Sequence, residues 1–311
     1  MLRVGKPLED MNLTELSQIR TAFFIHRLII MVVLCSAGAA AVILGPWPVK
    51  LLGSILLGLM YAHGVELQHQ CLHHTAFKSR SLNRFVGVLV GLPSLVSYSD
   101  YQFQHLRHHR LLGTDDDREF FNYGYEALSS FWKLVPHLFM VRHYRDVAVY
   151  MFQSIFGGFK RESPPEITAK IRNEYRLMLL FIAGMITATV AFETPLFVWL
   201  WLIPLFVAVP THALIELPEH IGCETSSRDV LKNTRTIKAS KLASWFVNGN
   251  NYHVEHHWLP SVPNDKLADL HQKTHGQIDH YEMSYWSFYR DLFKQLMGSQ
   301  TPPSSAGRPA A

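Results

Sequence analysis

The longest apolar stretches of this chain come in two pairs. The first pair covers residues 28–45 (LIIMVVLCSAGAAAVILG) and 49–67, and the second covers 177–191 and 195–210. A helix needs about 20 mostly apolar residues to cross a bilayer, and each stretch is close to that length. A buried core helix of a soluble protein is the alternative interpretation of 28–45. The repeated pattern instead favours four membrane-spanning helices arranged as two hairpins.

The segments between the two pairs have a different character. Residues 84–97 are apolar but short and contain Gly and Pro, which predicts a re-entrant or interfacial segment. Residues 125–175 mix aromatic residues with basic ones, which is typical of helices lying at a membrane surface. The basic residues of this segment include Lys133, Arg142, Arg145, Lys160 and Arg161.

The hairpin arrangement predicts which side of the membrane each segment faces. Two hairpins place both termini and the polar segments on one side. The short loops on the other side, near 46–48 and 192–194, contain no Lys or Arg, so the positive-inside tendency assigns the basic side to the cytoplasm. We therefore expect an all-α membrane domain over 23–295 with a cytosolic helical cap, a cytosolic segment at 1–22, and a disordered tail at 296–311.

Composition supports a membrane protein and narrows the chemistry. Apolar residues make up 48% of the chain and charged residues 17%, below the roughly 25% typical of soluble domains. The net charge of +4 comes without a Lys/Arg run, which argues against a nucleic-acid partner. The three cysteines are far apart and form no C-x-x-C pair, which argues against thiolate metal sites. Imidazole is therefore the main candidate metal ligand.

Nine of the eighteen histidines fall in three short, dense clusters. On a helix, positions i, i+3 and i+4 share a face while adjacent positions diverge by about 100°. A cluster of this kind can therefore send ligands toward two neighbouring metals. Imidazole suits iron, zinc, copper and nickel alike, so the spacing does not name the metal. The clusters are His69-Gln-Cys-Leu-His73-His74, His105-Leu-Arg-His108-His109 and His253-Val-Glu-His256-His257.

These clusters resemble the three histidine boxes of the membrane fatty acid desaturase and hydroxylase superfamily. HQCLHHTAF is similar to its first box, HLRHHR to its second, and NYHVEHHWLPSVP to its third with the proline segment that follows. The resemblance covers roughly residues 20–290. It implies four spans under a cytosolic cap, two iron ions as the cofactor, and O2 as a reactant.

The resemblance also implies a set of metal ligands. A ninth histidine is expected between the last span and the third box, and His220 is preferred to His212 because it lies beyond the apolar stretch, with Pro218 turning the chain just before it. Glu216, one turn before His220, is the candidate catalytic residue that orients a water. A carboxylate of Asp115–Asp117 and that of Glu255 are candidate acceptors for ligating imidazoles. The implied ligands are His69, His73, His105, His108, His109, His220, His253, His256 and His257.

The function implied by the resemblance is O2-dependent desaturation of a fatty acyl chain within the membrane. A hydroxylase or ketolase acting on a lipid, sterol or carotenoid is the alternative on the same scaffold. A metal-binding membrane transporter is the alternative from another class, but transporters place polar ligands within their spans, whereas these clusters flank the spans. The chain has no H-P-G-G haem motif and no Rossmann fingerprint, so a separate donor such as a ferredoxin or cytochrome b5 is expected to supply electrons.

Overall fold

A computed structural model describes residues 12–118, 120–121, 130–224 and 226–298 of the chain. The described part is mostly helical, with one parallel ladder of two short strands, β1 (Thr236–Ile237) and β2 (Tyr281–Glu282). The helices are α1 Leu13–Leu16, α2 Thr21–Leu44, α3 Trp47–Leu72, α4 Arg80–Gly91, α5 Tyr98–Leu111, α6 Phe131–Leu138, α7 Val141–Phe156, α8 Pro165–Ala191, α9 Ile203–His220, α10 Val230–Asn233, α11 Lys241–Phe246, α12 His253–Trp258, α13 Leu267–Thr274 and α14 Tyr285–Leu296.

The chain divides into two compact units. The span unit comprises Thr21–Gln104 and Phe139–Ala213. The histidine unit comprises the described residues of Met1–Arg20, His105–Leu138 and Leu214–Ala311. Helices α5 and α9 each begin in the span unit and end in the histidine unit.

Four described helical segments are long and apolar enough to cross a membrane. They are Leu13–Leu44, which combines α1 and α2, then Trp47–Leu72, Pro165–Ala191, and Val198–His220, which combines a π-helical turn with α9. The prediction of a mostly helical chain with four such helices is confirmed. Their pairing into two hairpins under a cytosolic cap stays a prediction.

Small residues bring α2 and α3 into close contact. A Cβ added to Gly53 would lie 2.6 Å from the carbonyl oxygen of Gly38, so the two backbones touch there. Glycine at such a crossing allows the close packing that holds helices together in lipid. Large apolar side chains on the other faces of α2, such as Ile29 and Val33, stay exposed, as expected of a surface that lipid covers.

Two helix ends differ from the sequence-based boundaries. Helix α3 continues to Leu72, and α8 begins at Pro165, so residues 165–175 are continuous with the third long apolar helix and do not form separate helices. Proline is favoured at the first helical position, because a backbone N–H there would have no hydrogen-bond partner within the helix and its loss costs nothing. The segment 84–97 is mainly the end of α4 followed by a 3₁₀ turn. Parts of the predicted surface segment and the whole of 299–311 lie outside the described residues.

The end of α9 also differs, because the helix passes through Pro218 and ends at His220. The prediction that Pro218 turns the chain is therefore wrong. A proline inside a helix leaves the carbonyl four residues earlier without its helical donor. Here that carbonyl belongs to Leu214, and it accepts a hydrogen bond from the Tyr289 hydroxyl at 2.6 Å. The guanidinium of Arg235 donates to the carbonyls of Pro218 and Ile221 at the same helix end.

A buried carboxylate of the span unit holds the start of α5. Glu174 of α8 accepts hydrogen bonds from the Ser97 hydroxyl at 2.7 Å and from the backbone N–H and hydroxyl of Ser99 at 2.9 and 2.7 Å. The guanidinium of Arg84 donates to the same carboxylate at 2.7 Å. A negative charge at a helix N-terminus is favourable because the first backbone N–H groups point toward it. Glu174 therefore fixes the helix that carries the second histidine cluster.

Glu174→Ala is expected to lower the melting temperature of the detergent-solubilised protein. Four donors would lose their acceptor, and each buried donor left unsatisfied costs about 1–3 kcal/mol. Glu174→Gln is expected to lose less, since the amide oxygen still accepts. Glu166→Ala removes an exposed acid from the first turn of the same helix and serves as the control. Equal melting temperatures for Glu174→Ala and Glu166→Ala would show that Glu174 does not hold the start of α5.

Candidate metal centre

The second and third histidine boxes both lie in the histidine unit. The last turns of α5 carry His105, His108 and His109. The short helix α12 begins at His253 and carries the whole third box, and every histidine in it is buried. His220 ends α9 in the same unit and is also buried.

Seven imidazoles of this unit form two adjoining groups. In the first group, Nε2 of His220 lies 3.3 Å from Nε2 of His108 and 3.2 Å from Nε2 of His253. Nε2 of His257 lies 3.1 Å from Nε2 of His253. We refer to His108, His220, His253 and His257 as the first imidazole group.

The second imidazole group consists of His105, His109 and His256. Nε2 of His109 lies 2.9 Å from Nε2 of His105 and 3.1 Å from Nε2 of His256. The two groups adjoin, because the rings of His109 and His257 stack with their centroids 4.0 Å apart and 17° between their planes.

Hydrogen bonds on the far side of two rings determine which nitrogen carries the proton. Nδ1 of His108 lies 3.0 Å from a carboxylate oxygen of Asp117, and Nδ1 of His220 lies 3.0 Å from the carbonyl oxygen of Asn233. Both partners only accept, so each Nδ1 carries hydrogen. The neutral ring then presents a lone pair at Nε2. Two lone pairs 3.3 Å apart repel each other unless a cation lies between them.

The donor set fits a transition-metal ion. A metal–nitrogen bond of about 2.1 Å places neighbouring imidazole nitrogens about 3 Å apart, which agrees with the measured separations. Burial, and after it the neighbouring imidazoles, hold the pKa of His257 well below its usual range. A neutral imidazole is the form that binds metal. The arrangement can therefore hold metal ions in both groups.

The first histidine box lies in the span unit. His69 is buried in the last turn of α3, and His73 follows the end of that helix, with the two ring centroids 5.4 Å apart. Burial and the neighbouring His74 lower the pKa of His73 to about 3, so its ring is neutral. The ring of His74 contacts the amide nitrogen of Gln102 at 3.4 Å. Ligation by His69 and His73 stays a prediction.

The two candidates for the ninth ligand have different surroundings. His220 belongs to the first imidazole group, whereas Nδ1 of His212 lies 3.3 Å from a carboxylate oxygen of Glu66 within the span unit. Glu216 is buried one turn before His220, and the helix joins them without a break. The surroundings of His220 favour it, and the roles of His220 and Glu216 stay predictions.

The family of this chain follows from comparison with known proteins. The family model described as "Fatty acid desaturase" matches residues 45–289, which include all three boxes and His220. The chain belongs to the fatty acid desaturase family. The resemblance drawn from the histidine boxes is thereby confirmed.

Two curated relatives of this desaturase-family chain are distant in sequence. A fatty acid desaturase of Bacillus subtilis (strain 168) is 24% identical over 221 residues, covering 66% of this chain and 62% of the relative. A Delta(8)-fatty-acid desaturase of Euglena gracilis is 20% identical over 263 residues, covering 75% of this chain and 62% of the relative. The chain thus spans a little under two thirds of the length of either relative.

Of the two kinds of carboxylate predicted to accept hydrogen bonds from ligating imidazoles in this desaturase-family site, one does so and the other has different partners. Asp117, within the predicted Asp115–Asp117 group, accepts from His108 as expected. Glu255 instead accepts from the Thr236 hydroxyl at 2.6 Å, from His271 Nδ1 at 2.5 Å and from the Thr274 hydroxyl at 3.2 Å. These bonds tie the carboxylate of Glu255 to β1 and α13.

Sequence reasoning missed several residues of the site. His271 belongs to none of the three histidine clusters, and its bond to Glu255 depends on a contact that no local spacing encodes. Asn233 and Asn250 hold imidazoles through groups that every asparagine possesses. Only Glu219 had a signal, because it directly precedes His220 in the chain.

Asp117→Asn is expected to weaken metal binding about 10- to 100-fold, because partners that orient metal-bound imidazoles contribute effects of this size. The amide has no charge to hold the Nδ1 hydrogen of His108. Metal affinity is measured by competition with a chelator, and Asp115→Asn, an exposed neighbour, is the control. If the two variants bind metal equally well, Asp117 does not orient the ligand.

Proposed function

We propose that this chain is an O2-dependent membrane oxidoreductase that uses two iron ions to desaturate a fatty acyl chain. The observation that carries the proposal is the pair of adjoining imidazole groups, with Nε2 atoms 2.9–3.3 Å apart. The proposed ligands are the seven histidines of these groups with His69 and His73 of the first box.

The proposed chemistry divides between the iron ions and the protein. Iron bound by these imidazoles supplies the one-electron oxidising power that side chains lack for an unactivated C–H bond. The reaction removes two hydrogens from adjacent carbons and reduces O2 to two waters, using two electrons and two protons from outside. Asp117 and the Asn233 carbonyl hold the ligand rings in the orientation that presents Nε2. Glu216 is proposed to hold a water near His220.

The proposed partners follow from this stoichiometry. The acyl chain reaches the site from membrane lipid or a soluble carrier, and a separate donor such as a ferredoxin or cytochrome b5 supplies the electrons. Exposed basic residues of α7, including Arg142 and Arg145, are proposed to help dock an acidic donor.

The site and both termini are proposed to face the cytoplasm. Cysteines introduced by Lys78→Cys and after Ala311 are expected to react with an impermeant thiol reagent only from the cytoplasm. A cysteine introduced by Phe192→Cys is expected to react only from the opposite side. The background is a chain with its three natural cysteines replaced (Cys35, Cys71 and Cys223). Labelling of Lys78→Cys from the side opposite the C-terminus would contradict the two hairpins.

Iron analysis and lipid mass spectrometry test the proposed function together. The purified protein is expected to hold about two iron ions, and a host that lacks the product is expected to gain a double bond in its acyl chains. A hydroxylated or ketone product would select the alternative reaction on the same scaffold. Zinc binding and zinc transport without any new lipid would select a transporter.

A further inference from the structure

Glu219 lies next to the first imidazole group, in the last turn of α9. Its side chain is buried, and one oxygen, Oε2, lies 3.2 Å from Nε2 of His253. Its other oxygen, Oε1, accepts a hydrogen bond from Nδ2 of Asn250 at 2.8 Å. The carboxylate therefore faces the same point as the imidazoles of His220 and His253, and the three possible ligand atoms lie within 4.8 Å of one another.

Asn250 determines which ring nitrogen of His253 carries the proton. The carboxylate of Glu219 can only accept, so the NH2 group of Asn250 points toward it and the amide oxygen points the other way. That oxygen lies 3.3 Å from Nδ1 of His253, which must therefore be the N–H of the ring. The neutral ring then presents a lone pair at Nε2.

The contact between Glu219 and His253 consequently joins two acceptors. Nε2 of His253 faces Oε2 of Glu219 at 3.2 Å and Nε2 of His220 at 3.2 Å. Nδ1 of His220 already donates to a carbonyl, so its Nε2 also presents a lone pair. One added proton on His253 would satisfy only one of these acceptors. A metal cation satisfies all of them, since carboxylate oxygen and imidazole nitrogen are both common ligands of such ions.

The backbone that carries Glu219 is held on both sides. Its carbonyl accepts from the Arg235 backbone N–H at 2.8 Å, and the Arg235 guanidinium binds the carbonyls of Pro218 and Ile221. Together with the Asn250 bond to Oε1, these contacts fix the direction of Oε2. A ligand held this firmly is pre-organised for metal binding.

We propose that Glu219 is a carboxylate ligand of the ion held by the first imidazole group. This inference rests on the metal centre of the proposed function and adds to it that the two ions have different donor sets. One ion is held by imidazoles alone, and the other by imidazoles and one carboxylate.

Cobalt binding to the full-length protein in detergent tests this inference without turnover. The metal-free protein is titrated with Co²⁺, and its visible d–d absorption reports the donor set of each bound ion. The wild type is expected to bind two ions. Glu219→Gln is expected to lose at least tenfold in affinity for one ion, and its spectrum at saturation is expected to change. Glu282→Gln removes a half-buried carboxylate that accepts from Ser287 in the same unit, and it is expected to match the wild type.

Each outcome decides something specific. If Glu219→Gln binds both ions with wild-type affinity and spectrum, Glu219 is not a ligand. The same conclusion follows if affinity falls but the saturated spectrum does not change. Should Glu219→Gln not fold, Glu219→Asp decides by the same spectrum, because it withdraws the oxygen by one methylene. A wild type that binds no metal would overturn the proposed function as well.

Discussion

His256→Ala is expected to abolish desaturation while the protein still inserts into the membrane. The imidazole of His256 is buried, with Nε2 3.1 Å from Nε2 of His109 in the second imidazole group. Removing this imidazole takes one proposed metal ligand from a buried site, where water is a poor replacement for it. We expect iron content to fall from about two ions per chain to about one, and product formation to fall at least 100-fold. His108→Ala is expected to have the same effect through the first group.

Iron analysis and mass spectrometry of the acyl products measure both effects, and fractionation of membranes checks insertion. His275→Ala is the matched control, because His275 is an exposed histidine of the same unit whose Nδ1 bonds a backbone carbonyl. Full turnover by either His256→Ala or His108→Ala would remove the di-iron interpretation.

His220→Ala and His212→Ala are expected to have clearly different effects. The two histidines are eight positions apart on α9, which is about 12 Å along a helix axis, so one ion cannot bind both. His220→Ala removes a member of the first imidazole group, and we expect it to lose one iron ion and most activity. His212→Ala removes the partner of Glu66 in the span unit, and we expect lower thermal stability with two iron ions retained.

Metal content and melting temperature, measured on the same preparations, separate these two effects. A reversed result, with iron lost from His212→Ala and retained by His220→Ala, would assign the ligand role to His212. Glu216 would then be the nearest turn-mate of the ligand, since it is one turn from both positions.

The spans were predictable because lipid imposes a long apolar run on any helix that crosses it. Their ends were not, because polar first and last turns continue a helix after the apolar run has stopped. Helix α8 begins at Pro165 through Glu166 and Lys170, and α9 continues past Pro210 to His220. Helix α9 continues through Pro218, and the carbonyl that this proline leaves without a helical donor is bonded by Tyr289, which lies far along the chain.

The clustering of the histidines of α5 and α12 was predictable because their spacing is local and their chemistry is narrow. The groups that orient them were not, with the exception of Asp117, which closely follows its partner His108 in sequence. Asn233 and Asn250 act through a backbone carbonyl and an amide, which any asparagine offers. The choice between His212 and His220 depended on where α9 ends, and composition alone does not determine that.

The hydrogen bond from the Tyr289 hydroxyl to the Leu214 carbonyl also has a consequence for biosynthesis. Leu214 precedes Glu219 and His220 by little more than one turn of α9, yet the residue whose hydroxyl bonds its carbonyl is translated much later, in α14. This bond cannot form until α14 has left the ribosome. The proposed metal centre is therefore expected to finish forming late in synthesis, and a chain stopped before α14 is expected to lack this support for the helix end that carries Glu219 and His220.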